Sequence, residues 1–309
     1  MALTADDSKV RDALSLDSQR LGQIVAAALA EDLGAGDVTT RATVVEESVG
    51  SAEILVKERG VVCGLAVAEA IFRALDPDVR FEPLADEGST LIETPSVVAV
   101  VTGSKRAILT GERVALNFLG RLSGIATLTN RYVDAVAGTG AAILDTRKTT
   151  PGLRVLEKHA VACGGGRNHR FGLDDAVLVK DNHLRAAGSI SRAVELVRAA
   201  TDLPVEVECE SLDQVGDALA AGVDAILLDN MSLAELGTAV AITAGRARLE
   251  ASGGITLDNV RAVAETGVDE ISVGALTHSA RSLDVSLELR GAPPGSPASP
   301  LLSKGDQSR

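Results

Sequence analysis

The sequence predicts an α/β protein whose second half is a parallel sheet with crossover helices, curved toward a barrel. Three observations carry this. Six short apolar segments, AAILDTRK, AVLVKDNH, VEVECES, AILLDN, RLEASGG and EISVGAL, recur from residue 141 onward. Helical stretches such as ISRAVELVRAA and LDNVRAVAETG lie between them, and repeated β-then-α units mean parallel strands. Each segment ends on a polar, charged or glycine residue: Asp145, Lys180, Glu208, Asp229, Ser252 and Gly274, spaced 35, 28, 21, 23 and 22 residues apart. In parallel α/β folds, open or closed, those C-terminal strand ends carry the ligand groups. Six consecutive strands all contributing favours the barrel; only six are clear, which leaves a complete eight-stranded barrel open.

Taken in order, residues 1–18 are polar and expected to be flexible. Residues 19–128 mix helices and strands irregularly. LGQIVAAALAEDL reads as a helix, SAEILVKERGVVCG as strand–turn–strand, LAVAEAIFRAL as a helix packed on it, and SVVAVVTG as a strand. SKRAILTGERVALNFLGRLSGIATLTNRYVDAVA reads as two helices broken near Gly120 and Gly124. Residues 129–290 hold the barrel. Residues 291–309 carry four of the nine prolines without periodicity and are expected to be a disordered tail.

Composition excludes several classes. With 46% hydrophobic and 24% charged residues over 309 positions, the chain has the make-up of a globular protein with a sizeable core. No apolar run reaches the ~18 residues of a membrane span, and the start lacks the basic and apolar regions of a secretory signal. Cys63, Cys163 and Cys209 are odd in number and scattered, which fits a reducing cytoplasm. They show no CxxC spacing, so no zinc site is expected. A net charge of -13 and the absence of Trp argue against nucleic acid.

Against that acidity, residues 145–185 hold eight Lys or Arg and five acids, plus three of the four histidines. Arg147, Lys148, Arg170 and Lys180 lie at or near the ends of neighbouring strands. Any one could be solvated surface, but four converging cations suit a small anion, and guanidinium forks match carboxylates and phosphates. His169 beside Arg170 reads as a further donor, and Gly164, Gly165 and Gly166 permit close ligand approach. VEVECE places Glu206, Glu208 and Glu210 on one face. Acids facing a barrel mouth need a cation, and Mg²⁺ is the usual one beside phosphates, with Asp229 as a second ligand. Ser252, Gly253 and Gly254, and Val273, Gly274 and Ala275, end the last two strands and suit a phosphate cradle. No Ser-His-Asp or thiolate–His arrangement is evident, which favours positioning and electrostatic catalysis.

DTRKTTPGLRVLEKHAVACGGGRNHR at 145–170, followed by LVKDNH, closely resembles the quinolinate phosphoribosyltransferase family. EDLGAGDVTT at 31–40, LTGERVALNFLGRLSGIAT at 109–127, LLDN, ASGG and VGALTHS resemble it in the same order, over roughly residues 20–290. The resemblance implies an N-terminal α/β sandwich domain at 19–128 and an incomplete parallel α/β barrel at 129–290, the type II phosphoribosyltransferase architecture. It implies conversion of quinolinate and phosphoribosyl pyrophosphate to nicotinate mononucleotide, CO₂ and pyrophosphate with Mg²⁺. It also assigns roles. Thr146 would lie among the substrate-binding residues, and Arg147, His169, Arg170 and Lys180 would hold the two carboxylates. Arg113 would reach in from the partner of a homodimer. Lys148 would serve the pyrophosphate and phosphoribosyl groups, and Glu208 and Asp229 the ribose hydroxyls and Mg²⁺. Ser252, Gly253, Gly254, Val273, Gly274 and Ala275 would cradle the phosphate. Lys148, Glu208 and Asp229 would be the catalytic group, while His159 and Arg167 fall between motif positions, where substitution should be tolerated. Two alternatives stay open: a relative associated with molybdate transport that acts on another anion, and a Schiff-base lyase using Lys180.

Overall fold

The computed structural model describes residues 18–290. The expected tail at 291–309 and all but the last residue of the expected flexible start lie outside the described residues. The first half opens with helices α1 (Ser18–Leu33) and α2 (Val38–Thr43), then β1 (Val49–Val56), β2 (Gly60–Val61) and α3 (Leu65–Leu75). It continues through β3 (Arg80–Pro83), β4 (Thr90–Leu91) and β5 (Ser96–Ser104) into α4 (Lys105–Ala135). The expected strand–turn–strand at 51–64 holds as two strands, but they do not pair. Strand β2 pairs with β4, whereas β1 pairs antiparallel with β5, and β5 in turn with β3.

Helix α4 corrects the sequence reading. It is a single helix of 31 residues, about 46 Å at 1.5 Å per residue, and it runs unbroken through Gly120 and Gly124. The glycines serve contact instead. A Cβ on Gly120 would come within 2.9 Å of the Leu283 carbonyl oxygen, and one on Gly124 would overlap the Arg281 carbonyl. The 281–283 segment lies directly on the helix, and Leu283 N–H donates to the Gly120 carbonyl at 3.0 Å. A periodicity reading cannot separate a glycine that breaks a helix from one that admits a neighbouring backbone.

The second half alternates as expected: β6 (Ala142–Leu144), α5 (Arg154–Cys163), β7 (Val177–Val179), α6 (Asp181–Ala187), α7 (Ile190–Ala200), β8 (Val205–Cys209) and α8 (Leu212–Ala220). Then come β9 (Ala225–Asp229), α9 (Leu233–Thr243), β10 (Arg248–Ser252), α10 (Val260–Ala264), β11 (Glu270–Ser272) and α11 (Ala275–His278). The six strands form one parallel sheet in the order β6-β11-β10-β9-β8-β7, so β6 and β7 are its edges and the barrel is incomplete. Strands β8 and β9 are buried along almost their whole length, as strands covered on both faces must be. Serines at 189, 211 and 232 cap α7, α8 and α9, each accepting a backbone N–H of the first turn. The final strand, β12 (Val285–Leu289), returns to the first sheet and pairs antiparallel with β1. Among the described residues no helix is long and apolar enough to cross a membrane.

Candidate active site

Parallel register brings the strand ends to one rim: Asp229 lies opposite Ser252, and Ser272 opposite Leu144. A cavity of about 600 Å³ opens there. Its lining includes Thr146, Arg147, Lys148, His169, Arg170, Lys180, Glu208, Asp229, Ser252, Gly253 and Gly254, eleven of the fifteen positions singled out from sequence. Gly274 and Ala275 adjoin it, since a Cβ on Gly274 would reach within 3.1 Å of the Lys148 side chain. Val273 is buried and its amide donates to the Leu144 carbonyl at 2.9 Å, so it fixes the backbone beneath the rim. Arg113 is exposed elsewhere, in a groove of about 280 Å³ with Ser282–Val285.

The basic island divides by task. Arg147, Lys148, Arg170 and Lys180 line the cavity. Arg154 and Lys158 brace it from α5. Arg154 donates to Thr149 Oγ1 at 3.0 Å and to the Phe171 carbonyl at 2.9 Å, and the buried Glu157 beside it accepts from Thr150 N–H at 3.0 Å. The Lys158 ammonium is buried against Asp145 and donates to the His169 carbonyl at 2.9 Å. Asp145 also accepts from His169 N–H at 2.9 Å and from Asn168 Nδ2 at 2.6 Å. Burial pushes the Asp145 carboxyl up and the Lys158 ammonium down, and each offsets the other's loss of water. The GGGRNHR segment is thereby held along the free edge of β6, where Arg167 bridges to Leu144 through its backbone while its side chain is exposed.

Arg170 is pushed below its usual value first by burial and then by Arg147. Arg147 keeps a buried Nε with no hydrogen-bond partner. Two guanidiniums that act on each other, neither in direct contact with a carboxylate among the described residues and only more distantly offset by Asp175 and Glu206, suit an anion. Lys180 is the exception among the four cations, lying 2.6 Å from Glu208 Oε2. An ammonium paired in this way is unlike the desolvated neutral amine a Schiff base requires.

Glu208 and Asp229 rise from adjacent strands into the same cavity, and Asp229 Oδ2 also accepts from Asn230 Nδ2 at 2.7 Å. These hard oxygen donors fit Mg²⁺, which takes one or two carboxylates and completes its octahedron with water and phosphate oxygens. Among the described residues neither acid belongs to a cluster of three or more such donors, so a cation here would draw further ligands from the substrate.

Sequence reasoning placed Glu206 on the inward face but missed Glu250 and the buried acidic layer the two form below this rim. Glu206 and Glu250 are buried, and His169 Nε2 faces them at 3.1 and 3.3 Å. Burial lowers the His169 imidazole, and two ionised glutamates would outweigh this and carry it up to about 10. Arg170 N–H, however, donates to His169 Nδ1 at 2.7 Å, which leaves Nδ1 no room for a proton. Glu250 is pushed up by its complete burial and then by Glu206, so we place the extra proton on Glu250 and leave a neutral ring donating from Nε2. The signal was available: Glu250 stands two residues before Ser252 and Glu206 two before Glu208, the period that keeps side chains on one face of a strand.

Glu270 lies at the base of this layer, 2.6 Å from Arg248. Burial, with repulsion from Glu206, outweighs Arg248 and pushes Glu270 from 4.5 up to about 7. Between those values the folded chain holds a proton that the unfolded chain has released, so this group's contribution to stability falls as pH rises through the window. Glu270→Gln stays neutral throughout. Its stability relative to wild type should climb between pH 4.5 and about 7, by up to a few kcal/mol, and stay flat outside. Urea unfolding at a series of pH values measures this; a level difference would show that Glu270 titrates normally.

Comparison with known proteins agrees with this geometry. Residues 37–123 match the family model for the quinolinate phosphoribosyl transferase N-terminal domain, and residues 125–288 that for the C-terminal domain. The chain is 48% identical over 266 residues to the Synechocystis sp. "Probable nicotinate-nucleotide pyrophosphorylase (carboxylating)", covering 84% of this chain and 90% of that one. It is 45% identical over 269 residues to the Mycobacterium leprae nicotinate-nucleotide pyrophosphorylase (carboxylating), covering 85% and 94%. The solved nicotinate-nucleotide pyrophosphorylase of Francisella tularensis superposes with a TM-score of 0.85 at 39% identity, covering 88% of this chain and 96% of that one. With both domains of the family matched in order along the chain, this protein belongs to the quinolinate phosphoribosyltransferase family.

Proposed function

We propose that the chain transfers the phosphoribosyl group of phosphoribosyl pyrophosphate to quinolinate, with decarboxylation, giving nicotinate mononucleotide, CO₂ and pyrophosphate for NAD biosynthesis. The carrying observation is the Arg147–Arg170 pair, two like charges at a cavity rim with an unpartnered Nε. Quinolinate offers two adjacent carboxylates and no other strong handle, so it needs several cations in a small space. Arg147 and Arg170 hold these groups, with Lys180 completing the cluster; His169 lines the same cavity with both ring nitrogens already engaged and fixes the Arg170 backbone. Glu208 and Asp229, in the same cavity, hold the ribose hydroxyls and Mg²⁺. The ion, when bound, neutralises charge developing on the departing pyrophosphate. Lys148, packed against Gly274, serves the same charge, and the glycine-rich ends at 252–254 and 273–275 seat the 5′-phosphate.

The pyridine nitrogen attacks C1 of the ribose as pyrophosphate leaves. The quaternised ring then loses its C2 carboxylate as CO₂, the positive nitrogen stabilising the electron pair left on C2, which takes up a proton from solvent to give nicotinate mononucleotide. The cations must hold that carboxylate without binding it more tightly than the transition state. Arg113 is exposed and lines a groove other than its own cavity, which supports a homodimer in which it completes the neighbouring site. Relatives at 45% and 48% identity carry the pyrophosphorylase name, which favours this substrate pair over the anion of a transport-associated relative.

The test is product formation from quinolinate, phosphoribosyl pyrophosphate and Mg²⁺, followed as released CO₂ and nicotinate mononucleotide. Nicotinate, run in parallel, leaves one set of cations unpaired and should react about 10⁴-fold less efficiently. No turnover of quinolinate by the folded protein would overturn the reading.

A further inference from the structure

On the face of α5 away from the cleft, the structure gathers residues that sequence spacing kept apart. Cys63 follows β2, and Glu87 lies in the loop between β3 and β4. His159 and Cys163 stand one turn apart on α5, four residues being the spacing that puts two ligands on one helix face. One donor atom from each of the four lies within 4.8 Å of all the others. Cys163 Sγ is 3.3 Å from His159 Nε2, which is 3.9 Å from Glu87 Oε2. We propose that Cys63, Glu87, His159 and Cys163 bind a zinc-like divalent transition metal.

The dimensions fit. Tetrahedral zinc, with sulfur at about 2.3 Å and nitrogen or oxygen at about 2.0–2.2 Å, sets its ligands roughly 3.4–3.8 Å apart. Two of the separations here, 3.3 and 3.9 Å, lie close to that range, and none exceeds 4.8 Å, so the ligands close on an ion by shifts of about an ångström or less. The chemistry is selective as well. Two thiolates and an imidazole favour zinc over Mg²⁺ or Ca²⁺, so this site and the carboxylate pair of the cleft call for different ions. All three cysteines are free thiols, and Cys209 lies outside the cluster.

The ligands are also held in advance. Ser123 Oγ, on α4, accepts from Cys63 N–H at 2.9 Å and donates to the Cys63 carbonyl at 3.0 Å. Gly64 N–H donates to both Glu87 oxygens, at 2.8 and 3.1 Å, and Ala66 N–H to Oε1 at 3.2 Å. Gly88 packs on the carbonyl of Cys163, where a Cβ would come within 3.2 Å. Such outer contacts fix ligand orientation before the ion arrives. Glu87 and His159 keep 27% and 14% of their side chains exposed, which leaves a path for entry. A metal here would tie the 60–88 segment to α5, the helix that also anchors Asp145 through Lys158.

The test uses the full chain, reduced and stripped of metal with a chelator, then titrated with cobalt(II). The expected result is a tetrahedral cobalt spectrum with thiolate-to-metal charge transfer, saturating near about one ion per chain and displaced by zinc. Cys163→Ser and His159→Gln, both at partly exposed positions, should each weaken binding by more than the ~10–100-fold that loss of an orienting partner brings. Circular dichroism checks that both variants fold, and the wild-type spectrum stands without either. Absence of a thiolate–cobalt band in the reduced wild type, or binding unchanged in both folded variants, would overturn the proposal.

Discussion

Arg170→Ala and Arg147→Ala are each expected to weaken quinolinate binding by about 2–5 kcal/mol, roughly thirty- to several-thousand-fold in Kd. The argument is one of stranded charge. Each guanidinium offers a planar fork, and removing one leaves a quinolinate carboxylate desolvated against a single cation. The fold should not suffer. The Arg170 side chain makes one hydrogen bond to the framework, to the Ala176 carbonyl at 3.2 Å, and of the charges acting on it the like-signed Arg147 weighs most, ahead of Asp175 and Glu206. Thermal midpoints of both variants should therefore stay close to that of wild type, since each substitution relieves the repulsion between the two guanidiniums, while Arg170→Ala also gives up the attraction of Asp175 and Glu206. Isothermal titration calorimetry with quinolinate, beside a thermal melt, reads both halves. Near-normal affinity in both variants would remove the carboxylate assignment.

Lys158→Met is expected to do the opposite, costing about 3–5 kcal/mol of stability. Asp145 would be left as a buried acid with its countercharge gone, and the His169 carbonyl would lose its donor. Because Asp145 also holds His169 N–H and Asn168 Nδ2, the damage should reach the cleft, lowering quinolinate affinity even where the variant stays folded. Lys158→Met combined with Asp145→Leu should recover much of the stability and none of the binding, since a buried pair can be replaced by apolar groups but the loop cannot be re-tethered by them. Denaturant midpoints decide it. A loss below about 1 kcal/mol in the single variant would mean that Asp145 is protonated in the native state and the pair is not ionic.

The sequence exposed those features whose cause is local. Each of the six barrel strands is a short apolar run followed by a polar residue or glycine, so its polar end could be read before the sheet was known, although Asp145 proves to be buried. The cavity followed, because parallel register sends all those ends to one rim. Features set by distant contacts stayed hidden. Gly120 and Gly124 resembled a break because nothing nearby announced the 281–283 backbone lying on them. In the sequence Lys158 counts only among the eight cations of residues 145–185, for its partner sits thirteen residues away across a loop. Cys63 and Cys163 are a hundred positions apart, so no spacing rule could pair them. Glu206 and Glu250 were legible in part: strand period gave their side, but only the assembled sheet shows how little water reaches them.

Strand β12 has a consequence for synthesis on the ribosome. Its partner β1 is complete by residue 56, yet the pairing residues, Val285–Leu289, emerge some 230 positions later. At about 5–20 residues per second, β1 waits on the order of ten seconds or more with one edge bare. Throughout that interval an extended stretch, SAEILV, offers open backbone groups to any neighbouring nascent chain. The segment that closes the sheet is also the one that lies along α4, so the same late arrival seals the edge and fills the glycine-lined groove of the long helix.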